Sequence, residues 1–454
     1  MDQARLLEKY NIPVPRYTSY PTVPNWKEHI DAREWQHNFI SAFEASNQKK
    51  GISLYIHLPF CEAMCTYCGC NKKITTNHSV EMEYINAVFR EWQLYTQMMG
   101  EKPVLRELHL GGGTPTFFSP ANLSRLLQPI LDSSVIHEEY EFSFEGHPNN
   151  TTKEHLETLY SMGFRRVSFG IQDNDPEVQK IINRVQPFEQ VQYVTNTARA
   201  IGYKSVNYDL IYGLPLQTEE SMARTIEQTI SMKPDRVAFY SYAHVPWTSR
   251  GQRLFDEHDL PTAAEKLRLY QTGRNLFLQN GYRDIGMDHF ALATDDLCVV
   301  AKAGRLHRNF MGYTTQQTDV LIGLGVSSIS STGKAFAQNS KTIHTYYQHI
   351  NKQELAVEKG YFLTDEDVRF GQYISDVICR GKTTYQPQDE TTIAQYCLPQ
   401  LQQMEQDGLV LIHGHGITVT RTGKDFIRNI CSAYDLFLIR NKISKEKRLF
   451  SNAI

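Results

Sequence analysis

Residues 55–74 read YIHLPFCEAMCTYCGCNKKI. Four of the chain's eight cysteines, Cys61, Cys65, Cys68 and Cys70, fall in this stretch, directly after an apolar run. In that run, ISLYIHLP, Ile52, Leu54, Ile56 and Leu58 share one face of a strand, and Ser53, Tyr55 and His57 share the other. The thiols follow at the spacing C-x3-C-x2-C-x-C, at the strand's C-terminal end. Tetrahedral zinc usually draws on two separated ligand pairs, and no second Cys/His pair here has finger-like spacing. Three thiolates on one short loop suit three irons of a 4Fe–4S cluster, with the fourth iron left open for a substrate. Zinc or a plain structural role is the alternative.

Outward from this strand a rhythm sets in. SVEMEYINAVFREWQLYTQMM reads as a helix, ELHLGGG as a strand and PANLSRLLQPIL as a helix. EFSFEGHP, RRVSFGIQ, SVNYDLIYGLP and DRVAFYSYAHV follow as strands, separated by helical stretches at KEHLETLYSMG, residues 175–201 and TEESMARTIEQTISM. Six such alternations predict βα units on a parallel sheet. Right-handed crossovers curl that sheet into a barrel or part of one. Within the strands, Glu141, Ser143 and Glu145 oppose Phe142 and Phe144, and Ser168, Gly170 and Gln172 oppose Val167, Phe169 and Ile171. An ordinary closed barrel fills its interior with branched apolar side chains. A polar inner face predicts an α/β fold with a wider, incomplete (β/α)6 barrel over residues 51–245 that binds something polar.

The flanks read differently. Residues 1–50 form an arm, rich in proline, whose PRYTSYPT suits an extended segment. Residues 246–360 offer strands at YRDIGMDHFAL and DVLIGLGVSSIS, which extend the sheet or roof the cavity. Residues 361–454 give helices and then a hairpin at LVLIHGHGITVTRTG, a mostly helical, winged-helix-like domain. Such a unit can read DNA, but no basic run lies on its second helix, and a packing or lid module is the plainer reading. His413 and His415 are expected as exposed wing residues.

Net charge is −3 and the sequence pI about 6.6, so no global basic signature for nucleic acid exists. The N-terminus lacks an apolar signal core, and no stretch approaches a membrane span. A cytoplasmic protein is expected, where clustered thiols point to metal or redox chemistry more than to disulfides. Cys298, Cys379, Cys397 and Cys431 are scattered and read as small core residues.

C-x3-C-x2-C at the end of the first strand of a βα series resembles the radical S-adenosylmethionine (SAM) superfamily. The resemblance implies an open iron that chelates the amino and carboxylate groups of SAM, and reductive cleavage to methionine and a 5′-deoxyadenosyl radical. GGGTPT, from Gly111 to Thr116, lets backbone amides approach an anion. At this position it resembles the family's SAM-gripping loop, with Gly113 where an acidic residue is usual. Glu145, Gln172, Asp209 and Ala243 lie at or near the ends of strands three to six, where barrel enzymes place active-site residues.

Taken together, PRYTSYPT, the cysteine stretch, LHLGGGTPT, FGIQD, DLIYGLP, SYAHVP, IGMDHFAL, GRLHRNFMGYTT and GVSSIS resemble the oxygen-independent coproporphyrinogen III oxidase family, over nearly the whole chain. The resemblance implies conversion of coproporphyrinogen III to protoporphyrinogen IX in haem biosynthesis, two propionates becoming vinyls. It implies two SAM molecules, one at the cluster and one beside it. Cys61, Cys65 and Cys68 would ligate the cluster. Tyr55, Gly112, Glu145 and Ile329 would line the cluster-bound SAM, and Tyr67, Gly113, Thr114, Gln172, Arg184, Asp209 and Ala243 the second. Tyr55, His57, Cys70 and Glu145 are the catalytic candidates. One departure is visible: EGHP stands where the family often has an acidic-Pro pair, so Gly146 and His147 are unusual.

A tetracarboxylate calls for cations, preferably Arg. Arg305, His307 and Arg308 in GRLHRNF, and Arg16 with Tyr20 in the arm, are the substrate candidates, with surface ion pairing as the alternative for each cation. The arm's Tyr17 and Tyr20 are expected to close over the cavity and exclude water. The expected partners are coproporphyrinogen III and a reductant such as flavodoxin or ferredoxin, acting on a monomer without nucleic acid or membrane span. The competing readings are a haem chaperone or transfer protein, a haem-degrading radical methyltransferase, and a DNA-binding regulator with an Fe–S sensor. Cys70 and RYTSYPT speak against the first.

Overall fold

The computed structural model describes residues 3–441 and 450–453. The chain opens with helix α1 (Gln3–Tyr10), an extended segment and helix α2 (Ala32–Lys50). The barrel follows as β1 (Ile52–Leu58), α3 (Val80–Met98), β2 (Val104–Gly112), α4 (Pro120–Asp132), β3 (Val135–Gly146) and α5 (Lys153–Ser161). It continues with β4 (Arg166–Gln172), α6 (Pro176–Ile181), α7 (Phe188–Ile201), β5 (Ser205–Tyr212), α8 (Glu219–Ser231) and β6 (Arg236–Ser241). Each neighbouring pair from β1 to β6 is parallel. The apolar faces predicted from alternation are buried: Ile52, Leu54, Ile56 and Leu58 are fully enclosed, as are Phe144, Val167 and Phe169.

Beyond β6 come α9 (Ala263–Gln279), the hairpin β7 (Tyr282–Gly286) and β8 (His289–Leu292), and α10 (Asp296–Lys302). Then follow β9 (Val320–Leu324), β10 (Ile329–Ser331), β11 (Ala335–Asn339), α11 (Ile343–Asn351) and β12 (Val357–Phe362). All of these strands join one 12-stranded sheet in the order β12-β11-β10-β9-β1-β2-β3-β4-β5-β6-β8-β7. β9 pairs with β1 in parallel, a seventh parallel strand beyond the expected six, and the outer strands on both flanks are antiparallel. The sheet extension read from residues 246–360 therefore lies on both edges.

The arm is not extended throughout. Asp31 caps α2 by accepting from the backbone N–H groups of Arg33 and Glu34. Trp35, Phe39 and Phe43, one helical turn apart, are buried in the main core. Burying such side chains stabilises by roughly 1.5–3 kcal/mol each, so α2 belongs to the barrel's outer layer and the extended arm ends near Asp31.

The C-terminal unit begins with α12 (Asp365–Arg380), whose N-cap Thr364 and Asp367 form a capping box. The helix Leu398–Gln406 (LPQLQQMEQ), which carries no Lys or Arg, and a three-stranded sheet complete the winged-helix-like shape. His413 and His415 are exposed on the wing, bonded to Thr418 and paired with Glu390. Cys298, Cys397 and Cys431 are buried as expected, and Cys379 is half-buried.

The arm docks on this unit. Tyr17 and Tyr20, expected over the cavity, are both buried in the second core with the C-terminal helices. The Tyr17 hydroxyl donates to Asp435 at 2.9 Å, and the Tyr20 hydroxyl accepts from the Leu436 N–H at 3.0 Å. A phenol in an apolar core needs such a partner.

Candidate active site at the strand ends

The cysteine loop runs from Cys61 to Cys70 across the C-terminal ends of the strands. It is held from three sides. The Thr66 N–H donates to the Ile182 carbonyl, after α6. The Thr114 hydroxyl lies 3.4 Å from the Cys61 sulfur. Behind the loop, the Gln252 amide donates to the carbonyls of Tyr67 (3.0 Å) and Ala243 (3.1 Å) and accepts from the Val245 N–H (2.6 Å). Gln252 is 2% exposed, so this fully bonded amide couples the cysteine loop to the end of β6. Sequence reading missed it, and no local pattern announces it.

Cys61, Cys65 and Cys68 are free, half-buried thiols lining one cavity of about 530 Å³. Cys70 opens onto the same cavity. Among the described residues, no group of three or more His, Cys, Asp or Glu side chains is arranged to hold a single metal ion. Three soft sulfur donors lining one cavity suit an iron–sulfur group. Burial pushes the Cys61 thiol up to about 11, opposed by the Thr114 hydroxyl. A hydrogen bond from Cys70 is the chief cause that holds Cys68 down at about 6. Arg184 donates from Nη1 to the Cys65 sulfur at 3.6 Å and from Nη2 to the Gly170 carbonyl at 2.6 Å.

The glycine loop explains its own departure. A Cβ at Gly113 would lie 2.6 Å from the Pro59 carbonyl oxygen, so no acidic side chain fits where the superfamily's usual residue stands. Gly112 has φ +121 and passes against the His57 ring. Its N–H donates to Glu145 at 3.3 Å. Glu145 also faces Nε2 of His109 at 3.6 Å, and Nδ1 of His109 bonds the Ser143 hydroxyl at 2.8 Å. His109 stacks on Tyr55 at 6.0 Å. It is a second residue that sequence reading passed over, although it stands in LHLGGGTPT.

Gln172 ends β4 with φ +67, a left-handed conformation unusual outside glycine, and it is nearly buried beside the cavity. Asp209 accepts from Ser168 at 3.2 Å. Burial, then the charge of Glu145, pushes its carboxyl up to about 7. His147, from the unusual EGHP, lines the cavity as well, and burial holds it down at about 3. Ala243 sits beyond β6 and meets Gln252 through its carbonyl.

A second cavity of about 560 Å³ adjoins the first, and the two share Cys70, Gly112 and Glu145. Tyr55, His57 and Ile329 line the second, with Phe310, Met311 and Gln338 in addition. Gln338 donates to the Ser327 carbonyl at 3.1 Å while its own carbonyl oxygen has no partner.

The substrate candidates divide. Arg16 pairs with Asp288 at 3.1 Å and lies over the ring of Tyr240, which lines the first cavity. Arg308 donates from Nη1 to the carbonyls of Arg16 and Tyr17, so one edge of its guanidinium fastens the arm. Arg305 is exposed on the turn after α10 and lines neither strand-end cavity. Tyr20 is likewise remote, for the reason given above.

Comparison with known proteins places this geometry. A model of the Radical SAM superfamily matches residues 55–229. The oxygen-independent coproporphyrinogen III oxidase of Escherichia coli K12 is 39% identical over 439 residues, covering 95% of each chain. That of Helicobacter pylori J99 is 38% identical with the same coverage of both. That of Synechocystis is 36% identical over 99% of this chain and 98% of its own. The solved structure of the Escherichia coli coproporphyrinogen III oxidase, described as a radical SAM enzyme, superposes with a TM-score of 0.88 at 37% identity, covering 96% of this chain and 99% of that one.

Proposed function

We infer, for a chain that belongs to the oxygen-independent coproporphyrinogen III oxidases of the radical SAM superfamily, that it converts two propionates of coproporphyrinogen III to vinyls and so forms protoporphyrinogen IX. The observation that carries this reading is the meeting of two cavities, each of more than 500 Å³, at Cys70, Gly112 and Glu145. Cys61, Cys65 and Cys68 would hold a 4Fe–4S cluster with one open iron. When bound, such a cluster supplies one-electron reductive cleavage of SAM to a 5′-deoxyadenosyl radical. Two adjoining cavities of this size suit two SAM molecules.

The chain's own residues bind and orient. Glu145, fixed by the Gly112 N–H and His109, presents its carboxylate to SAM at the cluster side. Tyr55 and His57 form a neutral pair below it. Asp209, Gln172 and Arg184 form the polar wall of the cavity that Cys61, Cys65 and Cys68 also line. Arg16, already oriented by Asp288 and Tyr240, offers a fixed cation to a substrate carboxylate. Hydrogen abstraction at a propionate β-carbon, followed by loss of CO2 and one electron to an acceptor, balances each vinyl formed.

A flavodoxin or ferredoxin would serve as reductant, and a cytoplasmic monomer suits the free thiols. No described helix is long and apolar enough to cross a membrane. The test is anaerobic: reconstitute the cluster, add reductant, SAM and coproporphyrinogen III, and measure protoporphyrinogen and 5′-deoxyadenosine. Tight haem binding without turnover overturns the oxidase reading in favour of a haem carrier.

A further inference from the structure

A cavity of about 570 Å³ lies apart from the strand-end pair, between the edge strand β7 and the C-terminal unit. Its floor is apolar, built from Tyr212, Leu267, Ile285, Met287, Val377 and Ile378. Its rim is cationic. Arg283, Lys302, Lys382 and Lys424 are all exposed there, and none forms an ion pair among the described residues. Of the carboxylates in the lining, Asp284 is paired with Arg274 at 3.2 Å and Asp288 with Arg16 at 3.1 Å. Asp425 is half-buried, and burial raises its pKa. Arginine and lysine outnumber aspartate in the lining six to three.

The buried wall adds to the imbalance. Arg428 is 6% exposed and spends its N–H groups on main-chain carbonyls, among them those of Pro15, Asn452 and Ala453, and forms no ion pair with a carboxylate among the described residues. Burying a guanidinium is costly; Asp288 is the acidic side chain whose charge bears on it, and Asp288 is already shared with Arg16, so the wall still favours a negative ligand. An apolar floor of this size with a ring of cations fits an amphipathic polycarboxylate with a broad apolar body. This cavity is also close to the reaction site in one specific sense. Asp288 lines it, Asp288 holds Arg16, and Arg16 lies over Tyr240 on the strand-end cavity.

We propose that the cavity between β7 and the C-terminal unit is a second tetrapyrrole site, which takes the carboxylated substrate or its half-oxidised product on its way to or from the strand ends. The inference rests on the oxidase reading, in which one tetracarboxylate is oxidised at two propionates in succession. A holding site beside the reaction cavity lets the ring leave and re-enter with a different propionate forward.

The test uses the full-length holoenzyme with SAM and coproporphyrin III, the air-stable and unreactive porphyrin, as probe. Fluorescence titration is expected to give two equivalents bound per chain in the native protein. The double variant Lys302→Glu/Lys424→Glu, changed only at exposed positions, is expected to weaken one equivalent at least tenfold and leave the other intact. One equivalent in the native protein, or two unchanged equivalents in the double variant, overturns the second site. Anaerobic turnover of coproporphyrinogen III by the same preparation separates the two failures. Turnover with a single equivalent removes this site alone, whereas no turnover removes the oxidase reading and this inference with it.

Discussion

The Tyr55 hydroxyl lies 3.0 Å from Nδ1 of His57, and Nε2 of His57 lies 2.9 Å from the Asn71 carbonyl. A carbonyl only accepts, so Nε2 carries the proton and Nδ1 accepts from Tyr55. Burial lowers the His57 pKa and raises that of Tyr55, so both stay neutral. Asn71 follows Cys70 directly, and this chain of bonds therefore fixes the end of the cysteine loop. Tyr55→Phe removes one hydrogen bond worth about 1 kcal/mol, a loss of roughly fivefold in rate if felt at the transition state. His57→Ala strands two partners and is expected to cost about a hundredfold. Iron content should hold in Tyr55→Phe while 5′-deoxyadenosine formation falls. Equal rates in Tyr55→Phe and the native enzyme would remove the positioning role.

Gly113→Ala tests the glycine loop. The new methyl would meet the Pro59 carbonyl oxygen at 2.6 Å and the Phe60 carbonyl oxygen at 2.8 Å, both backbone atoms that cannot swing aside. Overpacking of this kind costs roughly 1–3 kcal/mol. The expected outcome is a lower melting temperature and weaker SAM binding by equilibrium dialysis. Gly69→Ala, where nothing lies within 4 Å, is the control and should change neither.

How much of this was legible in advance depends on whether a residue's partner is local. The parallel core is readable because period-two alternation in Ile52–Leu58 and Arg166–Gln172 is a local signal, and the strand ends follow from it. Helix α2 was equally readable from Trp35, Phe39 and Phe43, but the prolines just before it weigh the segment toward an extended arm. The orientation of Tyr17 was not readable. An extended segment has no fixed face, and the partner Asp435 lies 418 residues away. Gln252 and His109 fall in the same class: their roles come from Tyr67 and Ala243, and from Glu145, which only the folded sheet brings near. Arg305 and Arg308 share one motif and diverge in place, because one sits on a turn and the other on a strand beneath the arm.

Arg428 joins the two ends of the described chain. Its guanidinium donates to the carbonyls of Val14 and Pro15 in the arm and of Ser451, Asn452 and Ala453 in the tail. Hydrogen bonds to a charged group contribute about 1.5–3 kcal/mol each, and their loss leaves buried acceptors unpaired. Arg428→Ala is expected to destabilise the protein by at least ~2 kcal/mol and to expose the bond after Arg16 to trypsin. Thermal unfolding and timed proteolysis check both. An arm that stays resistant in the variant would show that Tyr17 and Tyr20 suffice to hold it.

Asp209 predicts a pH dependence. Its carboxyl is pushed up to about 7, first by burial and then by Glu145. Below that pH it is protonated and loses half its capacity to accept from ribose hydroxyls. SAM affinity at the cavity it lines should therefore improve as pH rises through 7, and Asp209→Asn should flatten the profile. For stability the sign is opposite. The folded pKa is raised above the unfolded value, so the ionised buried group destabilises the fold above pH 7, and the penalty is relieved as pH falls through 7. Calorimetric binding and melting curves between pH 6 and 8.5 measure the two trends, and trends of the same sign would contradict the assignment.

Cys70 carries the sharpest prediction, because its position and its chemistry point the same way. Three thiols on one wall already suffice for a cluster with an open iron, and Cys70 adds a fourth where the two cavities meet. Its thiol pKa is raised well above the usual range, chiefly by the hydrogen bond to Cys68, so it remains a protonated donor while Cys68 takes the thiolate character. A thiol that keeps its proton where the two cavities meet can serve as a hydrogen-bond or hydrogen-atom donor. Cys70→Ser retains a donor of similar size and is expected to keep iron content and the reduced-cluster EPR signal within about twofold. Protoporphyrinogen formation should fall at least tenfold in the same protein. Loss of the cluster in Cys70→Ser would make it a ligand instead, and full turnover would leave it no part in the reaction.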